Sequence, residues 1–282
     1  TVNGGTATVA KLDTAANVTV NNAALALSQM TAPTLGSLSG SGKLILEKTQ
    51  ALQRNLDGVS VQLRTLEAKA NMLREMERDF EGFSKAVRLV MQDAERGNLR
   101  GVRGPVSKLI RVDDEFTTAI ETALGAAMQN IVVDSDDDGK AGIRLLKRLD
   151  AGRATFLPLD TIRANSLRET GLERQNGCFG TADALVRFNE KYKNVVCNLL
   201  ARTVISENMD TALALAKAYG HRFRIVTLDG QILQAGGAMT GGSVSRGTGA
   251  LARAERLHAA EERVRALEQE RKTLAQTEQA AG

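Results

Sequence analysis

The chain has 282 residues, and 37 Lys and Arg against 33 Asp and Glu give a formal charge of +4. With two Cys, two His and no C-x-x-C pair, neither a disulfide framework nor a zinc site of ordinary spacing is supported. A pI near 9.2 permits nucleic-acid binding, but the charges are well mixed and do not argue for it.

No apolar run is long enough to span a bilayer, and the N-terminus lacks the charged and apolar regions of a signal peptide. A fragment of a cytoplasmic protein is expected. Residues 1–42 hold only two charges, Lys11 and Asp13. VTVNNAALAL has the composition of weak strands, but the stretch carries no clear period. A leader over 1–43, poorly ordered or foreign to the rest, is predicted, with no function placed on it. GSLSGSGKL resembles a phosphate-binding loop but has Ser37 and Leu44 where that motif needs Gly and Ser or Thr.

From residue 44 the pattern changes. Leu52, Leu56, Val59, Leu63, Leu66, Ala70 and Leu73 follow a 4-3-4-3-4-3 spacing, the a/d seam of a coiled coil. The seam continues as Met76, Phe80, Phe83, Val87 and Val90 after a three-residue step, and with no proline between Pro33 and Pro105 one long helix is predicted over the arm 44–96. Leu257, Ala260, Val264, Leu267 and Leu274 repeat the pattern in 246–282. Either run alone reads as an amphipathic helix packed on a domain. Two runs flanking a different kind of sequence predict an antiparallel coiled coil around a globular insertion.

That insertion, 97–245, alternates helix and strand. DEFTTAIETALGAAMQ is an amphipathic helix, followed by the buried strand NIVVD, a helix through GIRLLKRLD and the strand RATFLPL. YKNVVCNLLA, RTVISE, MDTALALAKAYG and RFRIVTL follow. The segment from IVVD to FLPLD and that from TVISE to VTLDG share one design: strand, acidic helix start, helix, strand. Each predicts a crossover between parallel strands. A mixed α/β domain of two similar subdomains, about 97–165 and 180–245, is expected. DSDDDGKAGIRL begins like a calcium loop but has Leu145 where the last ligand, a Glu, belongs. Its carboxylates, like Glu207 and Asp210 in the second copy, read better as helix caps. His221 reads as a loop residue, Cys178 as a loop thiol and Cys197 as a core thiol. No catalytic constellation stands out.

QAGGAMTGGS, residues 234–243, asks for glycine at a helix start, in tight turns or beside another backbone. It opens no helix, so a phosphate site is not favoured. LDGQILQAGGAMTGG alternates like an edge strand, which another chain can pair with.

Gly230, Gly237, Gly241 and Gly242 form G-x6-G-x3-G-G, which resembles the dimerisation signature of the hinge of SMC proteins (structural maintenance of chromosomes). LRGVRGPVSKLI, IETALGAAMQNIVVD, GRATFLPLD and GGAMTGGS are similar to a bacterial chromosome-partition SMC hinge, in the family's order. The likeness covers 44–282, coils included, and leaves out the leader.

The resemblance implies a chain that folds back at the hinge and a ring-shaped homodimer made by strands from opposite subdomains. Gly230, Gly237, Gly241 and Gly242 would then lie at the dimer interface, with Gly237, Gly241 and Gly242 admitting the partner strand and Met239 and Thr240 touching it. Gly101 and Gly104 would shape the path in from the coil. Weak, sequence-independent DNA binding is implied for Arg96, Arg100, Arg103, Lys108, Arg246, Arg253 and Arg256, each of which also reads as solvated surface. ATP, Mg²⁺ and kleisin-type partners belong, on this resemblance, to head domains of the whole protein, which would be nucleoid-associated with no membrane contact. This chain itself is then no enzyme and needs no cofactor. A coiled-coil scaffold, or a DNA-repair relative of the same superfamily, is the alternative.

Overall fold

A computed structural model describes the backbone of residues 2–8, 17–26, 37–39, 43–243 and 249–281, and side chains from 52 to 243 and 249 to 279. The chain divides into two units, Thr1–Ala70 with Ala260–Gly282, and Asn71–Ala259.

In the first unit, strands β1 (Val2–Thr8), β2 (Asn17–Ala26), β3 (Ser37–Ser39) and β4 (Lys43–Leu44) pair in parallel, with β2 in the middle. Val2 pairs with Val20, Asn17 with Ser37 and Ala24 with Lys43, so the offset stays between 18 and 20 residues. The phosphate-loop-like stretch lies partly outside the described residues; its described part is β3 and β4. Helix α1 (Ile45–Arg78) follows. Its seam is buried as the heptads require: Val59 and Leu63 close on Leu267, with Leu66, Val264 and Leu274 packed alongside.

The predicted long helix is interrupted. Residues 79–84 form turns, with Phe80 at φ +51° and Gly82 at φ +84°, and helix α2 (Lys85–Glu95) restarts from the Ser84 N-cap. The cause is tertiary. Phe80 and Phe83, which the heptad reading takes as seam residues, pack edge-to-face at 5.7 Å and enter a core with Val87, Val90, Ile131 and Leu145. That burial outweighs an unbroken run of helical bonds.

The rest of the second unit is one plan used twice. First come β5 (Val102–Pro105), α3 (Val106–Leu109), β6 (Ile110–Val112), α4 (Thr117–Leu124), β7 (Ile131–Val133), α5 (Asp136–Arg148) and β8 (Phe156–Pro158). Then come β9 (Cys178–Thr181), β10 (Val186–Phe188), α6 (Lys193–Leu200), β11 (Thr203–Ser206), α7 (Met209–Ala218) and β12 (Arg224–Thr227). β7 pairs with β8, and β11 with β12, in parallel across their helices, as the repeated pattern predicts. β5 and β9 add antiparallel strands at equivalent places, so the repeat reaches further back than the sequence pattern. β6 and β10 pair antiparallel with each other and join the halves.

Ile120, Val132, Val195, Leu200, Ile205 and Val226 from both halves share one core with Leu251. Each such side chain contributes roughly 1.5–3 kcal/mol by leaving water. The second sheet continues through β13 (Ile232–Leu233) to β14 (Met239–Thr240), giving the order β14-β13-β12-β11-β9. Helix α8 (Ala250–Ala281) leaves the unit.

Two local readings change. Ser135, not a carboxylate, is the N-cap of α5; its hydroxyl accepts from the Asp138 N–H while the Asp138 carboxylate accepts from the Ser135 N–H. In the second copy the cap is Asn208, which accepts from Thr211 N, rather than Glu207 or Asp210. Cys178 opens a strand instead of a loop, and both thiols are half-buried, with burial pushing their pKa up.

Candidate functional site

The glycines of the 230–242 stretch do two kinds of work. Gly230 is buried in the turn between β12 and β13, where φ is +85° and its N–H reaches Thr227 O. Gly237 lies in the β13–β14 turn at φ +97°, bonded to Gln234 O, with the His221 ring below it. Both are turn residues of one chain. Gly241 and Gly242 instead continue the line of β14, as the edge reading expects.

That line is held by Gln231. Its side-chain oxygen accepts from Gly242 N at 2.8 Å and its amide donates to Gly242 O at 3.0 Å, as a further residue of β13 would. A side chain on Gly241 would overlap the Gln231 oxygen. Gln231 is fixed in turn by Thr227, whose hydroxyl accepts from Gln231 N and donates to Asp229.

β14 is the open edge of its sheet. Met239 and Thr240 are exposed, and 63% of Met239 meets water, the largest value among the exposed large hydrophobic side chains described. In the first half, β8 is likewise an outer strand. The Phe156 ring lies on α5, where Gly142 leaves room; a Cβ there would stand 2.5 Å from the ring. Beside it, Ile143 (45% exposed), Leu146 and Ala154 line a cavity of about 380 Å³. The sequence reading missed Gln231, Phe156 and Ile143. No motif marks them, since their importance depends on which strands end up outermost.

The basic residues separate by what they touch. Arg103 donates twice to Asp134, at 2.6 Å each, which raises the guanidinium's pKa and lowers that of the carboxyl. Arg253 pairs with Glu77 at 2.8 Å, their side chains only 12% and 14% exposed. Lys108 donates to Glu77 O and sits 3.8 Å over the Phe80 ring; burial lowers its pKa, against the pull of Glu77. These three charges are matched inside the unit. Arg96, Arg100 and Arg256 are exposed, and Arg246 lies outside the described residues. Gly101, at φ +68°, backs onto the Asp138 carboxylate, while Gly104 sits in β5 at φ +131°.

Comparison with known proteins gives the family of the chain. Residues 99–216 match the family described as the SMC proteins Flexible Hinge Domain. The chromosome partition protein Smc of Bacillus subtilis is 43% identical over 182 residues, 64% of this chain and 15% of that protein. That of Desulfitobacterium hafniense is 35% identical over 215 residues, 75% of this chain and 18% of that protein. The chain therefore spans under a fifth of the length of these relatives. The solved asymmetric dimer of the Geobacillus stearothermophilus SMC hinge domain matches with a TM-score of 0.78 and 34% identity, covering 84% of this chain and 96% of that one.

Proposed function

This chain belongs to the SMC hinge family, and from that premise we propose that it joins two copies of itself through the edge formed by Met239, Thr240, Gly241 and Gly242. The exposed, apolar β14 edge carries the reading. An edge strand that ends in glycines and presents a methionine is a template for a second chain, and soluble monomers usually blunt such edges with charge or proline. The solved relative is a dimer. Gly230 and Gly237 support the edge from behind as turn residues.

The whole protein would use this joint in chromosome partition, the role in the names of the bacterial relatives. It would work at the nucleoid in the cytoplasm, with ATP and Mg²⁺ at head segments and a kleisin-type subunit bound there. This chain supplies the joint and not the hydrolysis. Light scattering on the 282-residue chain tests the joint: twice the 30.2 kDa chain mass supports it, and the single-chain mass at high concentration contradicts it.

A weak DNA contact is proposed alongside, through Arg96, Arg100 and Arg256, whose exposed guanidinium groups leave them free to meet phosphates. Arg246 remains a candidate from sequence. Arg103, Lys108 and Arg253 would have to give up Asp134 and Glu77 first. Changing Arg96, Arg100 and Arg256 to Glu should weaken binding to a short duplex and flatten its salt dependence. Unchanged binding would remove this proposal.

A further inference from the structure

We propose that the end of α5 and the turn after it form a docking site for an acidic peptide segment of another protein. That segment sets one large apolar side chain between carboxylates. The reading is independent of the β14 joint.

Charge is the first observation. Between Lys140 and Ala154 stand five cations, Lys140, Arg144, Lys147, Arg148 and Arg153, against one acid, Asp150. That surplus of four equals the formal charge of the whole chain. All five cations are exposed, and Asp136, Asp137 and Asp138 lie at the other end of the helix. Lys140 stands 4.0 Å from Asp137. Among the described residues Arg144, Lys147, Arg148 and Arg153 make no ion pair, whereas Arg103 and Arg253 are each held by a carboxylate. Opposing the dipole in the last turn of α5 accounts for Lys147 and Arg148. It does not account for Arg153, which stands beyond the helix.

The second observation is the cavity these cations border. Ile143, Leu146, Lys147, Gly152, Arg153 and Ala154 line a space of about 380 Å³. Ligand cavities run from about 300 to 1,000 Å³. Ile143, Leu146 and Ala154 make its apolar side, and no carboxylate borders it. Lys147 stands on the helix wall and Arg153 on the turn. Ile143 is 45% exposed, and Gly152, with nothing within 4 Å of its missing Cβ, leaves space beside it.

Charge and shape together select the occupant. An aliphatic or aromatic side chain in the hollow, with a carboxylate on either side, meets Ile143 and Leu146 below and Lys147 and Arg153 at the rim. An apolar anchor inside a polar rim is the usual anatomy of a specific contact. A nucleic acid would meet the cations through its phosphates and leave the hollow unused.

Fluorescence anisotropy of a labelled synthetic peptide, a run of Asp and Glu around one Leu, tests this on the 282-residue chain. Saturable binding that weakens with added salt is expected. Replacing the peptide's Leu by Ser should weaken it about tenfold or more, the effect of leaving out one buried side chain. Lys147→Glu with Arg153→Glu should abolish binding and Ile143→Ser should weaken it. These side chains are exposed, so each variant should keep the parent's circular dichroism. Equal affinity for the Leu and Ser peptides would reduce the site to an unspecific basic surface and overturn the proposal. Absence of saturable binding overturns it too. So does a short DNA duplex that displaces the peptide from these cations at lower concentration than the peptide needs. Binding to the Met239→Asp variant but not to the parent would show that a second copy covers the hollow, and would likewise end the proposal.

Discussion

The carboxylate of Glu121 accepts the backbone N–H of Leu251 at 2.9 Å and that of Ala252 at 3.1 Å, across 130 residues of chain. A residue on α4 thus caps the first turn of α8, satisfying donors that have no partner within the helix and placing negative charge at its positive end. A side chain on Gly249 would overlap this carboxylate. From the other side, Arg224 on β12 donates to the carbonyls of Thr122 and Ala123, closing the C-terminal end of α4. The start of α8 is therefore set by the domain rather than by its own sequence.

Glu121→Ala should cost about 1 kcal/mol, as loss of a helix cap does. Urea unfolding should show it as a lower midpoint at unchanged slope. Hydrogen exchange should quicken at Leu251 and Ala252 more than in the β7 core.

Glu77→Gln should cost more, about 3 kcal/mol, because it leaves Arg253 mostly buried without its anion. Adding Arg253→Met should recover part of the loss. A double variant as unstable as the sum of the two single ones would show that the pair is not coupled.

Gly142→Ala should cost about 1–3 kcal/mol by overpacking, since the new Cβ would meet the Phe156 ring at 2.5 Å. Gly58, in α1 with nothing within 4 Å of its missing Cβ, gives the contrast. Gly58→Ala should stabilise by about 0.5–1 kcal/mol through helix propensity. Thermal melts of the two variants should move in opposite directions.

Asp134→Asn tests the Arg103 pair by pH. The native carboxyl titrates below its unfolded value, first because Arg103 hydrogen-bonds it. Its contribution is therefore present above the unfolded pKa of about 4 and is lost as pH falls through the lowered native value. The stability gap between parent and variant should be small, given an exposed pair, and should close on acidification. A gap that widens toward low pH would contradict the assignment.

Much of the fold is legible in the sequence because its periods are strong. The Leu52-to-Leu73 seam and the twofold strand-helix-strand pattern come from side chains that answer to their own element. What is not legible depends on distant partners. Phe80 and Phe83 fit a heptad, yet the α2–α5 core takes them and breaks the helix. β5 and β9 are four-residue strands in glycine-rich stretches, too short for a period to show. Lys108 and Arg253 look like free surface cations until Glu77 is brought beside them, and nothing local marks Gln231 as a substitute strand residue.

The central claim, that the β14 edge joins two copies, is tested most directly by the solution mass of Met239→Asp beside the parent chain. Met239 is exposed, so the variant should keep the parent's circular dichroism and a cooperative melt, while a charge on the edge should block strand addition. The expected result is a dimeric parent and a folded, monomeric variant. A variant that stays dimeric at the parent's affinity would contradict the account.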